Sequence, residues 1–226
     1  NWLEALLDND LGAMVEAASN ETAEDTRLED TPAQVAPLNV ITILDSATLD
    51  DWLNRLSAAD FFAFDTETTS LNYMVAEIVG VSFAVEAGTA AYVPLAHDYP
   101  GAPEQLSRDE VLAQLKPILE DESKGKLGQH LKYDANVLMN HGITLRGIRE
   151  DTMLESYVLN STATRHDMDS LAQKYLDHTT VSFQDIAGKG AKQLTFDQIA
   201  LEQAGPYAAE DADITLRLHQ TLFEKL

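Results

Sequence analysis

Asp65 and Glu67 have the residue types and the spacing to hold a divalent cation. They lie two residues apart at the carboxyl end of an apolar run, FFAFD, which is too short for a helix and is typical of a buried strand. Side chains two residues apart on a strand point to the same face, so both carboxylates can join one metal cluster. Two solvated carboxylates at a strand end explain this motif alone at least as well.

Three further candidates lie on segments that we predict to be helical. Asp134, in HLKYDANVL, falls in the first turn of a helix, where the helix dipole favours an acid that has no catalytic role. Tyr207 and Asp211 have i, i+4 spacing and therefore share one helix face, although an ordinary mixed polar face has the same pattern. Each of these motifs is weak by itself.

The elements that must position these residues alternate along the chain. We predict five strands, at Val40–Leu44, Phe61–Asp65, Ile78–Val85, Ala90–Pro94 and Lys126–Gln129. We predict helices that begin at Thr48 and at a capping box, Ser107–Glu110, and others around Lys132–Asn140 and over 206–226, with Pro206 in the first turn. The order predicts an α/β fold in which helices flank a mixed sheet.

Composition sets limits on the kind of protein. The 226 residues are 45% apolar, which is enough for a full core, and there is no cysteine for a disulfide or a thiolate metal site. No apolar run has the length of a membrane span, so we expect a cytoplasmic protein. The net charge of −23 predicts weak binding to nucleic acid. Residues 1–37 carry nine acids and one arginine and are interpreted as a linker, with the folded domain beginning near Leu38.

Five local motifs taken together are far more specific than the single residues. FDTETTSL, LKYD, RHDMDSLA, IAGKG and YAAEDAD resemble the DEDD superfamily of 3′→5′ exonucleases, in its tyrosine branch, and above all the proofreading domains of bacterial DNA polymerase I. The resemblance runs from about Val40 to the last residue. It implies a ribonuclease-H-like fold with a five-stranded mixed sheet, and it makes residues 1–37 the tail of an upstream domain and the chain a fragment.

The resemblance also implies roles for the acidic residues. Asp65 would bridge two divalent ions, Mg²⁺ or Mn²⁺, while Glu67 and Asp211 would complete one metal site. Asp134 would hold the second ion, and Tyr207 and Glu67 would orient the attacking water. The implied reaction releases 5′-mononucleotides from single-stranded or frayed DNA 3′ ends, and the implied partner is the polymerase domain of the same parent chain, acting at the bacterial nucleoid.

The resemblance places six further residues near the substrate: Thr68, Leu71, Gln129, His130, Arg165 and Phe183. Leu71 would wedge against the terminal base and Phe183 would stack on a base, although core packing explains either side chain as well. At His130 the chain departs from the family pattern, in which asparagine is expected.

Two other functions remain open. A separate RNA 3′-exonuclease of the ribonuclease D type has the same carboxylates, and relative activity on DNA and RNA distinguishes it. A catalytically silent domain that only supports a polymerase is the alternative from another class. Such domains lose metal ligands, whereas all four acids are present here, and titration with Mn²⁺ distinguishes the two.

Overall fold

The computed structural model describes residues 37–162 and 165–226, so almost all of the predicted linker, 1–37, lies outside the described residues. Its centre is a six-stranded sheet with the order β1-β4-β3-β2-β5-β6. The strands are β1 Asn39–Thr42, β2 Phe61–Thr68, β3 Ile78–Glu86, β4 Thr89–Pro94, β5 Gly125–Gly128 and β6 Ile148–Asp151. β2 lies inside the sheet, antiparallel to β3 and parallel to β5. The strand that carries Asp65 and Glu67 is therefore fixed on both edges.

The sheet is mixed, as the sequence predicts, and has one strand more than the expected five. The additional strand is β6, which pairs in parallel with β5 at one edge. Its sequence, IRED, is short and mostly polar, and its first three residues are partly or fully exposed. Hydrophobic periodicity cannot detect such a strand.

Seven α-helices accompany the sheet in the described part of the chain. They are α1 Ser46–Ala58, α2 Arg108–Leu119, α3 Leu131–Asn140, α4 Thr152–Leu159, α5 Met168–Leu176, α6 Phe183–Ala187 and α7 Leu201–Phe223, with short 3₁₀ turns at Gly190–Lys192 and Phe196–Gln198. None of them combines the length and the apolar character needed to cross a membrane.

Alternating side chains of β2 face different helices. Phe62 and Phe64 pack in one core cluster with residues of α1, α2 and α3. Ala63 packs in another cluster with Ala209 and Ala212 of α7. Because successive side chains on a strand point to opposite faces, Asp65 and Glu67 continue the Ala63 face towards α7, and Thr66 continues the Phe64 face towards α3.

α7 lies close to the sheet because its inner face is built of small residues. Ala204, Ala208, Ala209 and Ala212 are fully buried. A Cβ on Gly205 would lie 2.8 Å from Thr42 Oγ1, so a larger residue there would require the Thr42 side chain or α7 to shift. The short side chains bring the polar residues of the same helix to the end of β2.

Two predicted helix boundaries and one predicted capping box are wrong. Asp45, not Thr48, caps α1, because its carboxylate accepts a hydrogen bond from the Thr48 backbone N–H at 2.9 Å. Ser107 occupies the N-cap position of α2, but its side chain makes no capping hydrogen bond. α7 begins at Leu201, which places Pro206 inside the helix. Glu202, whose carbonyl loses the N–H partner at Pro206, is exposed to solvent, so water can replace that hydrogen bond.

Candidate active site

Asp65, Glu67 and Asp211 meet where the end of β2 faces α7. One carboxylate oxygen from each residue lies within 4.8 Å of the other two. Asp65 and Glu67 come from the same face of the strand, and the packing of Ala209 and Ala212 against Ala63 sets Asp211 over it. The structure thus brings together three of the four predicted metal ligands from distant parts of the sequence.

Asp134 approaches the same strand from the other face. It lies in the first turn of α3 and is buried. Its Oδ1 accepts hydrogen bonds from the Thr66 backbone N–H at 3.1 Å and from Thr66 Oγ1 at 2.5 Å. Asp134 is therefore anchored next to the three-carboxylate cluster rather than within it.

Burial raises the pKa of all four acids, and like charges raise it further for three of them. Burial raises the pKa of Asp65 to about 7. Burial, followed by the negative charges of Asp65, Asp211 and Asp134, raises the pKa of Glu67 well above its usual range. The pKa values of Asp134 and Asp211 are raised by burial first and then by the charge of Asp65. The folded chain holds these carboxylates in a place that disfavours their charge.

The cluster fits a divalent cation. Among the described residues, none of the four acids forms an ion pair with a lysine, arginine or histidine. The Oε1 atom of Glu67 is buried and has no hydrogen-bond partner there. A set of carboxylate oxygens is what hard ions such as Mg²⁺ and Mn²⁺ prefer.

Tyr207 lies one helical turn before Asp211 and faces the same cavity. Burial, and then the charges of Asp211, Glu67 and Asp65, raise its pKa, so the phenol keeps its proton and can donate a hydrogen bond. Its ring centroid lies 5.9 Å from that of Phe196 and 6.4 Å from that of Phe183. These two aromatic neighbours fix the direction in which the hydroxyl points.

An open cavity of about 680 Å³ borders the cluster. Three of the six predicted substrate residues, Thr68, Leu71 and Phe183, line it. The Leu71 side chain is 96% exposed, so it contributes nothing to the core and is free to contact a ligand. Phe183 is partly buried and lies nearly parallel to Phe196, with an interplanar angle of 13°.

The other three predicted substrate residues do not line the cavity. The Gln129 amide nitrogen donates to the His166 carbonyl at 2.8 Å, and its oxygen accepts from the Thr152 hydroxyl. His130 is exposed and has left-handed backbone geometry, with φ 65°. Arg165 is exposed and pairs with Asp167 at 3.1 Å.

Tyr133 is a cavity residue that sequence reasoning did not select. Its hydroxyl lies 2.5 Å from Thr68 Oγ1 and donates to the Ser70 carbonyl at 2.5 Å, which fixes the loop after β2. Its position beside Asp134 in LKYD was an available signal. Phe196, buried against Tyr207, gave no such signal, since a lone aromatic residue indicates only core packing.

Solved structures of a nuclease and of a DNA polymerase share this fold. Ribonuclease D of Escherichia coli aligns with a TM-score of 0.60 at 18% identity, covering 83% of this chain and 45% of that one. The polymerase domain structure of Pol1 from M. smegmatis, in complex with a DNA primer-template and dNTP, aligns with a TM-score of 0.61 at 21% identity over 82% of this chain and 27% of that one. The fold defines the class: a ribonuclease-H-like α/β protein, as expected.

The family follows from the sequence itself. The model of the 3′-5′ exonuclease family matches residues 40–226, and the chain belongs to that family, whose members depend on divalent metal. DNA polymerase I of Pseudomonas aeruginosa is 63% identical over 228 residues, which cover 100% of this chain and 24% of that protein. DNA polymerase I of Rhizobium leguminosarum is 45% identical over 203 residues, which cover 82% and 20% respectively. The chain spans about a quarter of the length of these curated relatives.

Proposed function

We propose that this chain is the proofreading domain of a bacterial DNA polymerase I, and that it removes 5′-mononucleotides from single-stranded or frayed DNA 3′ ends. The observation that carries the proposal is the cluster of Asp65, Glu67 and Asp211, with one oxygen of each within 4.8 Å of the others. The likeness to two bacterial DNA polymerases I favours DNA over RNA as the substrate. The polymerase domain of the same parent chain is the proposed partner.

Two Mg²⁺ ions, which Mn²⁺ can replace, are the proposed cofactors. Asp65 would contribute to both ions, and Glu67 and Asp211 would complete the first site. Asp134 would bind the second ion. Both hydrogen bonds from Thr66 end on its Oδ1, so Oδ2 is the atom that would contact the ion. When bound, the ions would supply Lewis-acid activation of a water and compensation for the charge on the leaving 3′-oxygen.

The residues of the chain position the reactants. Tyr207 keeps its proton because burial and neighbouring carboxylates raise its pKa, so it donates a hydrogen bond to the attacking water. Glu67 accepts a hydrogen bond from the same water. Their contribution is orientation of the nucleophile, without proton transfer to a strong base.

The proposed site accepts a DNA 3′ end with any terminal base. Leu71 offers an exposed apolar surface to the terminal base, and Phe183 offers a ring that Phe196 supports from behind. Stacking and apolar contact accept every base, as removal of a mismatched end requires. In this proposal the backbone N–H of Thr68 binds the terminal 3′-hydroxyl. Gln129, His130 and Arg165 contact the strand further from the end, after the Gln129 amide exchanges its internal hydrogen bonds.

A 5′-labelled DNA oligonucleotide and an RNA oligonucleotide of the same sequence test this function with Mg²⁺. We expect a 3′-end ladder and 5′-mononucleotide products on DNA. Asp65→Ala should remove the activity, whereas Glu202→Ala, which changes an exposed acid of α7, should not. Faster hydrolysis of RNA would contradict the proposed substrate, and an active Asp65→Ala variant would contradict the proposed site.

A further inference from the structure

A second group of potential metal ligands lies where β6 meets α4 and α7. Glu150 on β6, Glu155 on α4 and His219 on α7 each offer one ligand atom, and the three atoms lie within 4.8 Å of one another. His219 follows Asp211 by eight residues on α7, which corresponds to about 12 Å along the helix axis. This group is therefore separate from the candidate active site.

Glu155 is the buried member of the group. Its side chain is 4% exposed. Its Oε1 accepts a hydrogen bond from His219 Nδ1 at 2.6 Å. Its Oε2 is buried and has no hydrogen-bond partner among the described residues. A buried carboxylate oxygen without a partner is unfavourable unless a further group binds it.

Glu150 adds a second carboxylate to the same place. Its ligand atom lies within 4.8 Å of that of Glu155, and burial, the negative charge of Glu155 and a side-chain hydrogen bond to Glu155 raise the pKa of Glu150. Within the described part of the chain, neither acid pairs with a lysine or an arginine. The imidazole of His219 supplies at most one positive charge, so a divalent cation would compensate the pair more fully.

The surroundings suit a fixed imidazole ligand. The His219 ring packs between Phe61, at 5.1 Å between centroids, and Phe223, at 5.3 Å. Apolar neighbours of this kind hold the ring plane and lower the local dielectric, as they do around metal-binding histidines. Glu150 is partly exposed and opens the group to solvent, which gives an ion a route in.

We propose that Glu150, Glu155 and His219 bind one Zn²⁺-type divalent ion at a site distinct from the catalytic centre. Two carboxylates and one imidazole make three protein ligands, which leaves a position for water, and the ion would replace the proton that now joins His219 Nδ1 to Glu155 Oε1. The imidazole favours Zn²⁺ over Mg²⁺, so the site selects a different ion from the all-carboxylate cluster. The bound ion ties β6 and α4 to α7, the helix that carries Tyr207 and Asp211.

Equilibrium dialysis with Zn²⁺ tests this site in the 226-residue chain carrying Asp65→Ala and Asp211→Ala, which disables the catalytic cluster. We expect one Zn²⁺ per chain. Adding Glu150→Gln or His219→Gln should weaken binding about tenfold or more. Adding Glu224→Gln, which changes an exposed acid just after α7, should leave the affinity unchanged.

The variants also separate this proposal from a purely structural Glu155–His219 pair. If His219→Gln does not fold, Glu150→Gln decides, because Glu150 lies at a partly exposed position of an edge strand. Absence of bound Zn²⁺, or equal affinity in the Glu150→Gln and Glu224→Gln chains, would overturn the proposal. Glu150→Gln in the otherwise unchanged chain should keep the exonuclease rate, so this test is independent of the catalytic assignment.

Discussion

Thr66 holds Asp134 twice, with its backbone N–H at 3.1 Å and its hydroxyl at 2.5 Å, and both bonds end on Oδ1. Thr66 lies between Asp65 and Glu67 but points to the opposite face of β2. The tripeptide Asp65–Thr66–Glu67 therefore supplies two carboxylates on one face and the anchor for a third on the other. This relationship explains how acids from opposite faces of one sheet meet at a strand end.

We predict that Thr66→Val lowers the rate of DNA hydrolysis about tenfold or more. Valine keeps the shape and the β-propensity of threonine but leaves Asp134 without its hydroxyl donor, which should also lower the free energy of unfolding by about 1–3 kcal/mol. Single-turnover hydrolysis and denaturant unfolding measure the two effects. Thr66→Ser, which keeps the hydroxyl, is the control, and equal rates for the two variants would show that the bond does not position Asp134.

Substitution of Tyr207 should lower the rate of DNA hydrolysis less than substitution of Asp211. Tyr207→Phe removes one hydrogen bond to the attacking water, worth about 1.5–3 kcal/mol, which corresponds to roughly a 10- to 150-fold loss of rate. Asp211→Ala removes a metal ligand and should be almost inactive. Single-turnover hydrolysis and calorimetric titration with Mn²⁺ measure both, and normal Mn²⁺ binding is expected only for Tyr207→Phe. Greater damage in Tyr207→Phe would reverse the assigned roles.

The sequence predicted the part of the site that depends on periodicity. Strand alternation placed Asp65 and Glu67 on one face of a strand, and the i, i+4 spacing placed Tyr207 and Asp211 on one face of a helix. The resemblance joined Asp134 to them, but its bond to Thr66 depends on a tertiary contact 68 residues apart that no local pattern contains. The inward-turned Gln129 amide depends on Thr152 and His166 in the same way.

The backbone conformation at His130 explains why asparagine is the residue expected there. Its φ of 65° and ψ of 43° are left-handed, a conformation that asparagine adopts more readily than most residues. We expect His130→Asn to be at least as stable as the natural chain. His130→Val should lose about 1–2 kcal/mol of unfolding free energy, because a β-branched residue is strained there. The position is exposed, so packing is unchanged, and denaturant unfolding that ranks valine above asparagine would contradict this explanation.

The metal-free chain should lose stability as the pH rises. Burial raises the pKa of Asp65 from its usual value of 3.8 to about 7, so between these values the folded state binds more protons than the unfolded state. The free energy of unfolding must then fall with increasing pH through that window. The other three acids, whose pKa values are also raised, contribute to the fall in the same direction.

Urea unfolding at pH 5.5 and pH 8 in a chelator measures this dependence. Asp65→Asn should reduce the pH dependence of the free energy of unfolding. Asp98→Asn, which removes one charge at an exposed acid, should leave it unchanged. It is the control for the general charge repulsion in this acidic chain. Mg²⁺ should stabilise the natural chain more at pH 8 than at pH 5.5. An equal pH dependence in the two variants would show that the cluster is not its cause.

Anomalous diffraction from crystals soaked with Mn²⁺ and a short single-stranded DNA tests the central claim most directly. We predict two Mn²⁺ peaks about 3.5–4 Å apart, the separation of two-metal hydrolases. One peak should be bound by Asp65, Glu67 and Asp211, and the other by Asp65 and Asp134, with the DNA 3′ end beside Leu71 and Phe183. The account would be contradicted if the crystals contained bound DNA but no Mn²⁺ at Asp65 while the same preparation hydrolysed DNA.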